Sequence, residues 1–170
     1  MMYKKQIYRS IAVGLVFITL VVAAWPALAA SQTVNVFKVT FNQPITVYRG
    51  RGGVSFPKPQ FSGMVGISNA NVPSVGGAGI RWIGSFAYAI QLPSGTTAPY
   101  SNYQATVFFN LTKGWEVRAW NNQTLAIYFA DVGGWKKLTT YAVGTRLAAA
   151  SMGPGTYALG MSQPQVHPAP

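Results

Sequence analysis

Few side chains in this sequence could do acid–base chemistry. The 170-residue chain holds two carboxylates, Glu116 and Asp131, one histidine, His167, and no cysteine, against thirteen lysines and arginines. A glycosidase of the usual kind needs two carboxyl groups flanking the scissile bond. Read as strands, residues 115–131 put Glu116 on an outer face and Asp131 in the following turn, and nothing brings the two together. A Ser-His-Asp triad or a histidine-ligated metal needs a histidine held among other functional groups. His167 instead sits between Val166 and Pro168 in a proline-rich terminus. Calcium sites gather several carboxylates, which are lacking here. Without cysteine there is no disulfide, thiol nucleophile or thiolate metal ligand. The expectation is a protein that is not an enzyme, with no catalytic residue, no metal site and no cofactor.

Positive charge is what the chain does carry. Its formal charge is +11 at pH 7, although only 9% of its residues are charged. That imbalance favours a polyanion or an anionic surface as partner. The competing reading is that the charge only keeps an apolar exported protein soluble. The most basic stretch is 49–60, RGRGGVSFPKPQ, in which Arg49, Arg51 and Lys58 surround Phe56. Its glycines and prolines predict a loop with no regular element. The Arg-Gly-Arg-Gly-Gly run resembles segments that hold single-stranded RNA through arginine. An export signal argues against an intracellular nucleic acid, and guanidinium groups fork equally onto phosphate, sulfate or uronate. A solvated loop with incidental charge is the alternative. Lys136 and Lys137 form a second basic pair.

Aromatic residues offer a different chemistry. If 115–120 and 125–130 pair as a hairpin, Trp120 and Tyr128 lie beside Glu116 and Arg118 on its outer face. Two exposed rings there would stack sugars; the alternative is that they pack under a loop or a second sheet. The loop 93–102, with Tyr100 and Tyr103 near its end, is another candidate binding edge.

The elements that position these groups follow from periodicity. Residues 1–29 read as a Sec-type secretory signal peptide: Lys4, Lys5 and Arg9, then an apolar run, then Pro26 and the small-residue pattern Ala27-Leu28-Ala29. An uncleaved anchor is the runner-up, and only in that case would the chain touch a membrane. Export to the cell envelope or the medium is expected, with 30–161 as one domain and 162–170 as a proline-rich tail. Residues 115–140 read as a three-strand meander, with Trp115, Ile127 and Phe129 inward and a three-residue loop at 121–123. The sequence Trp-Lys-Lys-Leu at 135–138 breaks alternation. A β-bulge would send both Trp135 and Leu138 to the core; an edge strand with one inward lysine is the alternative. Residues 85–92 alternate cleanly, with Phe86, Tyr88, Ile90 and Leu92 inward. With 33–41, 45–49, 61–67, 104–110, 145–150 and 156–161, the count is nine or ten short strands and no helix after the signal. The fold class is all-β, an antiparallel sandwich.

The run Trp135-Lys136-Lys137-Leu138-Thr139, then Leu147-Ala148-Ala149, then Gly155-Thr156-Tyr157-Ala158-Leu159 resembles the closing strands of Ig-like β-sandwich modules of bacterial secreted and surface proteins. The likeness covers about 125–161. It implies a structural or adhesive module without catalysis, and brings no site residues with it. Three functions are therefore carried forward. One is polyanion or anionic-polysaccharide binding at a cell surface, through Arg49, Arg51, Phe56, Lys58, Lys136 and Lys137. The second is sugar stacking on Trp120 and Tyr128. The third is a subunit of a surface layer or filament. The sequence fixes no oligomeric state.

Overall fold

The computed structural model describes residues 33–72, 79–96 and 104–163. The expected signal peptide, Tyr100, Tyr103 and His167 lie outside them. Eleven strands are found among the described residues: β1 (Asn35–Val39), β2 (Ile45–Arg49), β3 (Gly52–Phe56), β4 (Gly63–Asn69), β5 (Ile80–Gln91), β6 (Thr106–Asn110), β7 (Leu125–Asp131), β8 (Gly134–Lys137), β9 (Thr140–Val143), β10 (Arg146–Ala150) and β11 (Gly155–Ser162). One helix, α1 (Gly114–Asn121), joins β6 to β7. The strands form two antiparallel sheets, ordered β1-β4-β5-β11-β7-β8 and β2-β3-β6-β10-β9. The two sheets pack as a sandwich, as the strand pattern predicts.

The core lies where alternation sends apolar side chains. Phe86 and Tyr88 on β5, Val107 and Phe109 on β6, Leu125 and Ile127 on β7, and Tyr157 and Leu159 on β11 are almost fully buried between the sheets. Each such side chain stabilises the fold by on the order of 2–3 kcal/mol through burial alone. Phe86, Tyr88 and Tyr157 stack face to face, with ring centroids 5.7 and 5.8 Å apart.

Three local expectations are overturned. Residues 115–120 are helical, so the central meander loses its first strand. Helical spacing turns Glu116 and Ala119 inward, half-buries Trp115 and Trp120, and leaves Val117 45% exposed. The helix ends in a double backbone bond, Thr124 N to Ala119 O at 3.0 Å and Gln123 N to Trp120 O at 2.8 Å. Gln123 takes the left-handed conformation that this ending requires (φ 58°). The expected three-residue hairpin loop at 121–123 is therefore absent: Asn121 ends the helix, and Asn122 and Gln123 form its C-terminal turn.

The basic stretch 49–60 is not an irregular loop. It holds strand β3, paired with β2 through a tight turn at Gly50-Arg51, with Arg49 opposite Gly52. Gly50 has φ 60°, suited to that turn. Gly52 and Gly53 are in the strand because the sheet is crowded there. A β-carbon would stand 2.9 Å from Phe109 Cε1 at the first and 2.6 Å from Phe108 Cζ at the second.

The lysine pair carries no bulge: β7 and β8 pair in unbroken register from Asp131↔Gly134 to Tyr128↔Lys137. Strict alternation places Lys136 and Leu138 toward the core side, and Trp135 and Lys137 outward. Leu138 is buried, whereas Lys136 stays exposed at the sheet edge. This is the edge-strand solution, in which an inward lysine discourages pairing with another sheet. The last strand also runs to Ser162, and Gln163 N bonds Gly79 O at 2.7 Å, so order extends past the expected start of the tail at 162.

Candidate functional site

Strand register gathers the arginines at one end. There β6 finishes at Asn110 opposite Arg146, β5 begins at Ile80 opposite Ser162, and β2 turns into β3 at Arg51. Helix α1 closes the gap between the sheets at this end, with Ala119 and Trp120 packed on the core. Arg49, Arg51, Arg81, Arg118 and Arg146, all the arginines among the described residues, lie here with Lys113. Lys38 and Lys58 lie toward the other end, and Lys136 and Lys137 on the edge strand β8.

Glu116 is the centre of this arrangement. It is 0% exposed. Its Oε2 accepts from Arg51 Nη2 at 2.6 Å and from the backbone N–H groups of Thr112 and Lys113 at 2.8 and 3.2 Å. As the third residue of α1 it satisfies N–H groups that a helix start leaves open. Burial pushes its pKa up; the Arg51 hydrogen bond and charge and the two amides outweigh this and hold the carboxyl below its ordinary 4.5. It is a buried carboxylate, not the outer-face residue that a strand would make it.

Arg51 is accordingly engaged. Besides Glu116 it donates to Asn110 O at 2.8 Å, and its stem lies against Gly84, where a β-carbon would meet Arg51 Cδ at 2.9 Å. Arg146 Nε holds Asn110 Oδ1 at 3.0 Å, with its guanidinium over Phe108. Arg49 donates to Asn35 Oδ1 at 3.0 Å. Arg81 is exposed, with its guanidinium 5.9 Å from the Trp115 ring centroid. Asp131, the other carboxylate, sits at the far end of β7. No acidic side chain is therefore exposed beside these arginines.

No protein-family model and no curated protein matches the chain. What the site does must therefore be read from its own residues.

The expected binding residues separate. Phe56 is fully buried between Phe61 and Tyr88 and cannot reach a ligand. Tyr128 is 5% exposed, edge-on to Trp82 at 5.4 Å, so the stacking platform with Trp120 does not form. Lys58 is exposed on the β3–β4 connection, away from Arg49 and Arg51. Lys136 and Lys137 belong to the sandwich edge opposite β2 and do not join the arginines. Trp120 and Lys137 do meet, in a groove of about 540 Å³ that also takes in Leu125, Leu138 and Thr140. The helix at 115–120, which the strand reading concealed, brings Trp115 to Arg81 and Glu116 to Lys113 and Arg51. Among the described residues no group of acidic or histidine side chains could hold a metal ion.

Proposed function

We propose that the protein is an exported, non-enzymatic β-sandwich that binds an anionic polysaccharide through its arginine end. The observation that carries this reading is the segregation of charge. Five arginines and Lys113 share one end, and the only carboxylate there is buried against Arg51. Exposed charge at that end is of one sign, which raises the local concentration of a polyanion. Arginine in place of lysine suits two-pronged contact with oxyanions such as carboxylate and sulfate. The likeness of the last strands to Ig-like surface modules agrees with a binding role rather than a catalytic one.

Retention on a heparin column under a salt gradient tests this. Replacing Arg81, Arg118 and Arg146 by alanine should move elution to much lower salt, since each lost cation–anion contact lowers the salt dependence. Replacing Lys38, Lys58, Lys136 and Lys137 should move it less, although four charges are removed instead of three. Equal shifts per charge would mean that net charge alone drives retention, and the reading would fail.

A further inference from the structure

Beside the Arg51–Glu116 pair lies a cleft of about 170 Å³, lined by Arg51, Arg81, Trp82, Lys113, Trp115 and Glu116. That is about six water volumes, room for one small ring rather than a length of chain. Two features of its lining are unbalanced. Glu116 Oε1 is buried and, unlike Oε2, has no hydrogen-bond partner; Arg51 Nε beside it is in the same state. Unpaired buried polar atoms of this kind are uncommon and call for a partner. Arg81 and Lys113 are exposed cations, and the ion pair at this end engages neither of them.

These groups define an occupant. Glu116 Oε1 requires a donor, and a hydroxyl supplies one. Arg81 and Lys113 require an oxyanion. The indole of Trp115 favours the apolar side of a ring; that of Trp82 packs on Tyr128 and Trp135 and forms the wall behind it. A bare inorganic anion meets the second requirement only. A neutral sugar meets the first and third only.

We propose that this cleft takes a single uronate residue of an acidic polysaccharide. Its carboxylate lies on Arg81 and Lys113, and one ring hydroxyl donates to Glu116 Oε1. This rests on the reading of the protein as a binder of anionic polysaccharide, and assigns that reading a site.

Calorimetric titration with trigalacturonate, its methyl ester and sodium sulfate tests it. Wild type should bind the free acid, with affinity for the ester at least tenfold lower and no competition from equimolar sulfate. Arg81→Ala and Lys113→Ala, both at exposed positions, should each raise Kd at least tenfold with an unchanged melting midpoint. The double variant of Lys136 and Lys137 should leave Kd within about twofold. Unchanged binding by the Arg81 and Lys113 variants, or sulfate competing as well as the sugar, would overturn the assignment. Heparin retention with no trigalacturonate binding would remove this site and leave the polyanion reading standing. Failure to hold either would remove both.

Discussion

At one end of the sandwich the core is closed by the ion pair of Arg51 and Glu116; at the other it is closed by three hydroxyls. Tyr157 Oη donates to Gly153 O at 2.6 Å and accepts from Met152 N at 2.9 Å, while Ser151 Oγ lies 2.6 Å from Tyr88 Oη and 2.9 Å from Tyr157 Oη. The hydroxyl network is neutral, and each of its oxygens has a partner. The ion pair is charged, and one nitrogen and one oxygen are left over. A fully satisfied network locks a core, whereas an unpaired buried polar atom costs stability until something supplies its partner. On the proposed reading, the neutral end serves closure and the charged end serves contact.

Truncation should hurt the charged end more. Arg51→Ala leaves Glu116 buried without its cation and should destabilise by about 3 kcal/mol, as broken buried pairs do. Tyr157→Phe removes one hydroxyl from the neutral end and should destabilise by about 2 kcal/mol, the cost of leaving its buried partners unpaired. Urea midpoints with unchanged slopes would rank the two. The reverse order would mean that the ion pair is braced from elsewhere.

Acid separates the ends next. The Glu116 carboxyl is held below its ordinary value, so the folded state binds its proton less readily than the unfolded chain does. Its contribution to stability is therefore fully present above about pH 4.5 and is lost as pH falls through the lowered folded value. The melting midpoint of the wild type should drop on acidification below pH 4.5, and that of Glu116→Gln should drop less. Parallel curves would show that Glu116 is not the group responsible. The smallest effect belongs to the edge: Lys136→Ala with Lys137→Ala should change stability by no more than about 0.5 kcal/mol, since exposed substitutions away from special features rarely exceed that.

The two ends also differed in how plainly the sequence announced them. Phe86, Tyr88 and Ile90 alternate without interruption, and Tyr157 and Leu159 do the same, so residues 85–91 of β5, β11 and the layer between the sheets could be read directly. Strand β2 falls on the expected 45–49. Residues 115–120 fit two periods at once. Trp115, Val117 and Ala119 alternate as in a strand, and Trp115, Glu116, Ala119 and Trp120 share a helix face. A buried carboxylate tips the balance only because Arg51, 65 residues earlier, meets it. Nothing local records that partnership. The stretch at 49–60 misled for a similar reason: glycine usually weakens a strand, but Phe108 and Phe109 on the neighbouring strand leave no space for a side chain at Gly52 and Gly53.

The central claim is that contact with an acidic polymer is made at the arginine end, around α1. Amide chemical-shift mapping of the isotope-labelled protein during titration with trigalacturonate tests it most directly. The account predicts the largest shifts at Arg51, Arg81, Trp82 and 112–118, with the Tyr157 end silent. Shifts concentrated on β8 around Lys136 and Lys137, or spread evenly over every exposed cation, would contradict it.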